Sequence, residues 1–243
     1  MSRAGRHLLT VAWASLIGLA GPGLGQGPAA AAEPPVPPAR VSIFRAATEE
    51  EFRDLMLAAA RDQPSFVMKL LLAGVDPNQA DAQGNTPLHK AIMEESERVV
   101  KLLLDHPHAD VNALNQAGET PVMLAALRGR LPWVQALVQR GALINEAGFT
   151  ALHYACSGPD NGVTAWLVSQ GAELDARSPN GSTPLMMAAG YGSPDSVDIL
   201  LQAGADASLR NDKGLSAVDF ARQAGRPELV KRLQAAQREP YPY

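Results

Sequence analysis

The residues best able to do chemistry in this chain are few: His89, His106, His108, His153 and Cys156, with His7 close to the start. The densest group is "DHPHAD", which places Asp105, His106, His108 and Asp110 within six positions. Imidazole and carboxylate are the donor types that hold zinc and other divalent metals. Pro107, however, stands between the two histidines, and no second cluster supplies a defined set, so the stretch reads as a solvated loop at a helix end. Cys156 is the only cysteine, which excludes an intramolecular disulfide. There is no nucleophile elbow, P-loop or dinucleotide fingerprint, and the glycines of "GLAGPGLGQG" fall in a leading apolar stretch. No catalytic residue, no metal ligand and no cofactor is expected, and the chain does not read as an enzyme.

These residues sit on a repeat. "GNTPLH", "GETPVM", "GFTALH", "GSTPLM" and "GLSAVD" begin at Gly84, Gly118, Gly148, Gly181 and Gly214, at spacings of 34, 30, 33 and 33. A second series, "GVDPN", "HADVN", "GALIN", "GAELD" and "GADAS", runs in phase with the first. Between the two lie an Ala-rich segment and then a stretch such as "ERVVKLLLDH" with aliphatic residues at helical intervals. Each unit is therefore predicted to be two short helices and a protruding turn. Thr86, Thr120, Thr150 and Thr183 stand where a hydroxyl caps a helix, and Pro87, Pro121 and Pro184 at a first helical position, where a missing N–H costs nothing. Glycine at the end of the second helix terminates it with positive φ. The alanine pairs Ala125–Ala126 and Ala188–Ala189 let helices of successive units approach closely. Cys156 takes the place of one such alanine, so a buried, inert thiol is expected. No unit can bury its apolar face alone, and the units must stack.

This pattern resembles the ankyrin repeat, with "GNTPLHKAIMEESERVVKLLLDHPHADVN" matching almost throughout. The resemblance implies an all-α solenoid of about six helix-turn-helix units with finger loops. It spans 48–235: a capping unit over 48–80, repeats over 81–114, 115–144, 145–177 and 178–210, and a closing cap over 211–235. The unit before Gly148 is three residues short, which should truncate one finger. His89 and His153 occupy the family's histidine position, where hydrogen bonding within and between loops is the implied role. The family's usual binding surface is the concave face, which here would comprise Asn85, Met93, Glu94, Glu119, Leu127, Arg128, Phe149, Ser182, Tyr191, Leu215 and Gln223. Of these, Phe149 and Tyr191 are aromatic and suited to anchor a partner. Trp133 and Trp166 fall in second helices and are expected in the stacked core.

The first forty residues differ from the rest. Arg3 and Arg6 precede an uncharged stretch from Leu8 to Leu24, followed by small residues up to Ala32, the three-part form of a secretory signal. A bilayer-spanning helix needs about 20 apolar residues, and this run is shorter and broken by Gly21, Pro22 and Gly23. Residues 1–32 are therefore read as a cleaved signal, 33–47 as a Pro-rich linker and 236–243 as a tail. Losing Arg3 and Arg6 takes the formal charge from −4 to −6, which argues against nucleic acid or an anionic membrane as partner. The expectation is a monomeric, periplasmic or secreted protein, free of the membrane after signal cleavage, that binds a protein partner. Two forms of that function stand open: a non-catalytic interaction scaffold, or a regulatory or inhibitory subunit of one exported enzyme. Metal or ligand binding through "DHPHAD" is a third.

Overall fold

The computed structural model describes residues 44–238, and from Ala46 onward they form one compact unit. The signal, most of the linker and the last five residues lie outside the described residues. Among the described residues there are twelve α-helices and no β-strand. They come as six pairs: α1 (Glu49–Ala60) with α2 (Pro64–Leu72), α3 (Pro87–Met93) with α4 (Glu97–Asp105), α5 (Pro121–Leu127) with α6 (Leu131–Gln139), α7 (Ala151–Ser157) with α8 (Asn161–Ser169), α9 (Pro184–Tyr191) with α10 (Pro194–Gln202), and α11 (Ala217–Gln223) with α12 (Pro227–Arg238). First helices pack on first helices in one layer, second helices on second helices in another, and the first-helix layer is the tighter.

Side chains start the first helices as the sequence predicts. Thr48 accepts from Glu51 N–H, Thr120 from Met123 N–H and Thr183 from Met186 N–H, and Ser216 makes the reciprocal pair with Asp219. The second helices α2, α6, α8 and α10 end in glycines of positive φ, as at Gly141 (φ 88°), whereas α4 ends on His106. The core is repetitive: Leu88, Leu152 and Leu185 at the head of first helices are 2% exposed or less, and Ala125, Ala126, Ala188 and Ala189 are fully buried. Close approach is strictest at Gly192, where a Cβ would run into the Cys156 carbonyl. Cys156 itself is fully buried, and burial, partly offset by a hydrogen bond with Thr164, pushes its thiol up to about 12. Such a thiol is not a nucleophile at neutral pH.

Just ahead of the fingers, the segments between units carry an amide clamp. Asn78 donates to the His108 carbonyl (2.7 Å) and accepts from Asp110 N–H; Asn112 does the same with Gly141 (2.9 Å) and Leu143, and Asn145 with Gly171 (3.0 Å) and Glu173. The next position is Asp175, which accepts from Asp206 N–H (3.0 Å) but has no proton to donate when ionised. Burial raises its carboxyl above the usual range, and the Asp206 charge adds to that. One expectation is corrected on this spine. Trp133 is 7% exposed under the Arg130 guanidinium, 4.4 Å from the ring centre, but Trp166 is only half-buried. His106 is half-buried and His108 exposed, with rings 6.0 Å apart edge-on; among the described residues no group of three histidine, cysteine or carboxylate side chains is arranged to hold a metal.

Candidate protein-binding face

The fingers are five-residue turns closed by two backbone bonds. In the first, Asp81 N–H donates to Asn85 O and Gly84 N–H to Asp81 O. The same pair recurs at Asn115–Glu119, Ser178–Ser182 and Asn211–Leu215. Each turn needs a positive φ at its fourth residue, 73° at Gly118 for example, which only glycine takes without strain. Neighbouring fingers are then stitched together: Gln116 N–H donates to Gln83 O (2.9 Å) and Asp212 N–H to Asn180 O (3.1 Å).

The short unit breaks this row. Among the described residues neither turn bond joins Asn145 and Phe149, and no backbone bond links the short segment to the finger on either side. The interruption is marked in sequence on the following finger as well. Pro179 occupies the position from which Gln116 and Asp212 donate, and proline has no N–H to give. On the other flank the Ala117 carbonyl, equivalent to those of Gln83 and Asn180, receives no bond from the short segment.

Beneath the fingers lie the two histidines. His89 Nδ1 accepts from Thr86 N–H (3.2 Å) and lies 2.9 Å from its hydroxyl, while Nε2–H donates to Glu119 O (3.1 Å) in the next unit. His153 repeats the arrangement with Thr150 and Ser182 O (3.0 Å). This is the neutral tautomer with every polar atom satisfied. Desolvation lowers both imidazoles, His153 to about 4, so they act as structural bolts and not as acid–base groups. Met123 and Met186 hold the equivalent position in the other two units, where sulfur accepts the threonine N–H but cannot reach forward.

The expected face residues separate into three groups. Gln223 and Tyr191 are exposed, Tyr191 at 41% with its ring edge-on to Phe220 at 6.5 Å. Asn85, Met93, Glu94, Glu119, Leu127, Arg128, Phe149 and Leu215 are half-buried. Several of these are already engaged: Arg128 donates across units to the Met93 carbonyl (2.8 Å), Lys90 pairs with Glu94 within its unit (3.1 Å), and Asn115 joins Asn85 of the preceding unit (3.1 Å) to Glu119 of its own (2.9 Å). Ser182 is corrected. It is 1% exposed, its N–H donates to Ser178 and its hydroxyl accepts from Asn211 (3.1 Å), so it belongs to the finger's own framework.

Phe149 is neither fully exposed nor part of the core. Its ring packs edge-on to His153 (5.5 Å) and Tyr154 (6.0 Å), leaving part of it accessible. Tyr154, absent from the expected face, is the link between Phe149 and Glu119: it is 2% exposed and its hydroxyl donates to Glu119 Oε1 at 3.0 Å. Burial, and then the adjacent Glu119 charge, raise the phenol well above its ordinary value, so it remains a donor. A signal for it was present, since the equivalent positions hold Lys90, Leu124, Met187 and Phe220, none of which combines a ring with a hydroxyl.

The profile described as "Ankyrin repeats (3 copies)" matches residues 55–147, 107–178 and 152–240. The chain is a member of the ankyrin-repeat family. Among curated relatives it is 29% identical over 215 residues to "Putative palmitoyltransferase ZDHHC13" of Danio rerio, covering 70% of this chain and 32% of that protein. It is 35% identical over 179 residues to "Ankyrin repeat and SOCS box protein 16" of Homo sapiens, covering 69% and 39%. This ankyrin chain thus spans well under half of those relatives. A solved structure titled "Bd0816 Predatory Endopeptidase from Bdellovibrio bacteriovorus in complex with immunity protein Bd3460" contains a chain that superposes with a TM-score of 0.65 at 27% identity, over 75% of this chain and 97% of that one. Ankyrin repeats serve protein–protein interaction, and among the described residues no helix is long and apolar enough to cross a membrane.

Proposed function

We propose that the protein is an exported, non-catalytic ankyrin scaffold that holds a protein partner against its fingers and concave face. The observation that carries the reading is the division of labour along each unit: caps, leucines and histidine bolts lock a rigid spine, while Tyr191, Gln223, Phe149 and Leu215 remain at least partly accessible on one side of it. A preorganised surface of this kind binds without ordering cost. Export rests on the charged, apolar and small-residue succession of residues 1–32. A second reading, that the partner is one exported enzyme which the scaffold restrains, is favoured by the structural likeness to a chain from an endopeptidase–immunity protein complex.

Both parts are tested in the producing cell. N-terminal sequencing of the protein from the exported fraction should begin within a few residues of Glu33, and a chain still starting at Met1 refutes a cleaved signal. A photo-crosslinking residue at Tyr191 should capture protein, whereas one at Met68 on the outer helix layer should not. Capture of a single enzyme in stoichiometric yield supports the restraining role, and several partners support the general scaffold. Equal capture from both positions overturns the assignment of the face.

A further inference from the structure

We infer that the gap left by the truncated finger is a docking notch for an arginine side chain presented by the protein partner. The proposal rests on the protein-binding reading above and gives that reading a chemical preference. The Ala117 carbonyl, the Glu119 carboxylate and the Phe149 ring, on the residues flanking the short segment, accept hydrogen bonds or favour cations. On one flank the Ala117 carbonyl lacks the bond that its counterparts at Gln83 and Asn180 receive from the next finger. On the other flank Pro179 withholds an N–H, and a side chain at Gly148 would lie 3.8 Å from the Pro179 ring, so the short segment reaches that finger and not the one at Asn115–Glu119.

Glu119 closes the finger on the first flank, and its carboxylate is bonded by Tyr154 of the short unit. It is half-buried, and two neutral donors hold it, Tyr154 Oη–H at 3.0 Å and Asn115 Nδ2 at 2.9 Å. Among the described residues no arginine, lysine or histidine forms an ion pair with it, although eleven such pairs form elsewhere. A fixed, partly desolvated carboxylate without a cation is complementary to one from outside. Phe149 occupies the position equivalent to Glu119 in the next unit, and both contact Tyr154, which brings a half-buried aromatic ring near the same carboxylate. Glu146, in the short segment itself, also forms no ion pair among the described residues. A planar guanidinium can donate to a carboxylate and a carbonyl at once while stacking on a ring, which a lysine ammonium cannot reproduce.

The test titrates the protein, with amide and side-chain NMR signals followed, against the tripeptide N-acetyl-Gly-Arg-Gly-amide and its citrulline counterpart, which keeps the shape and loses the charge. The arginine peptide should shift signals of Ala117, Glu119, Phe149 and Tyr154, and the citrulline peptide should bind at least tenfold more weakly. Glu119→Gln, which still accepts from Tyr154, should weaken the arginine peptide tenfold or more with no change in melting temperature beyond a few degrees. Inserting Leu-Asn-Gln after Glu146, the residues at 114–116 of the preceding intact finger, should refill the row with an N–H donor facing Ala117 and abolish binding while leaving Tyr191 crosslinking intact. No shift at these residues, equal binding of the two peptides, or unchanged binding in Glu119→Gln overturns the notch. Loss of crosslinking at Tyr191 in the unaltered protein would instead refute the broader binding reading.

Discussion

The helical spine and the finger row are built from the same repeat, yet only one of them is regular. Along the spine each first helix after α1 starts on a capped threonine or serine, buries an aliphatic residue two positions on and presses small residues against its neighbour. Along the finger row, intact turns at Asp81–Asn85 and Asn115–Glu119 are stitched together, as are those at Ser178–Ser182 and Asn211–Leu215, and between the two pairs the row is cut. The difference follows from what each region loses by change. A defect in the spine leaves a cavity between two units, whereas a shortened finger exposes only backbone that water can satisfy. A change of length is therefore tolerated more easily at the fingers than in the spine.

The sharpest way to break that contrast is Leu185→Ala. Leu185 is fully buried between units, so the variant should lose about 2 to 5 kcal/mol in urea unfolding. A loss under about 1 kcal/mol would show that the first-helix layer is not the stabilising one.

A loss of comparable size should come from acid. The His153 imidazole is lowered from its ordinary value to about 4 by burial. Its unfolded form therefore binds a proton first, so its contribution is fully present above about pH 6.5 and fades as pH falls toward 4. Reaching pH 4 should cost about 3 kcal/mol from this residue alone. His153→Met, the residue type that Met123 and Met186 supply at the same position, should flatten the melting temperature between pH 6.5 and 4. An unchanged pH profile in that variant would remove the histidine from the account.

Phe149→Ala addresses the finger side. With its ring half-buried against His153 and Tyr154, the substitution should cost about 1 to 2 kcal/mol, well below Leu185→Ala, while weakening partner binding by at least about 1 kcal/mol. A Phe149 variant that unfolds as readily as the Leu185 variant would place the ring in the core.

The smallest effect, and one in the opposite direction, is expected at the amide clamp. Asp175→Asn restores the donor that Asn78, Asn112 and Asn145 use, and should raise stability by about 0.5 to 1.5 kcal/mol at pH 7. A carboxyl raised in the folded state favours the fold as pH falls, so this gain should shrink in acid. A destabilised variant would show that the Gly204 carbonyl is out of reach.

By itself the sequence determined the number of units, their two-helix content, the capping threonines, the buried position of Cys156 and the short unit before Gly148. All of these are consequences of local spacing: a cap, a first-turn proline and a terminating glycine act within a few residues, and a regular period then commits each unit to stack on the next. What only the tertiary structure decided lies in contacts between residues about 30 positions apart. Ser182 read as an accessible finger residue until Asn211 and Ser178 were seen to enclose it, and Trp166 read as core although its helix leaves it half-exposed. The Tyr154 hydroxyl on Glu119, the Ala117 carbonyl without a ladder partner and the replacement of a donor by Pro179 each depend on which neighbour stands opposite. No period in the chain encodes that relation, because a hydrogen bond between units is fixed by the stacking offset and by both side chains together, and a single repeat specifies only one of them.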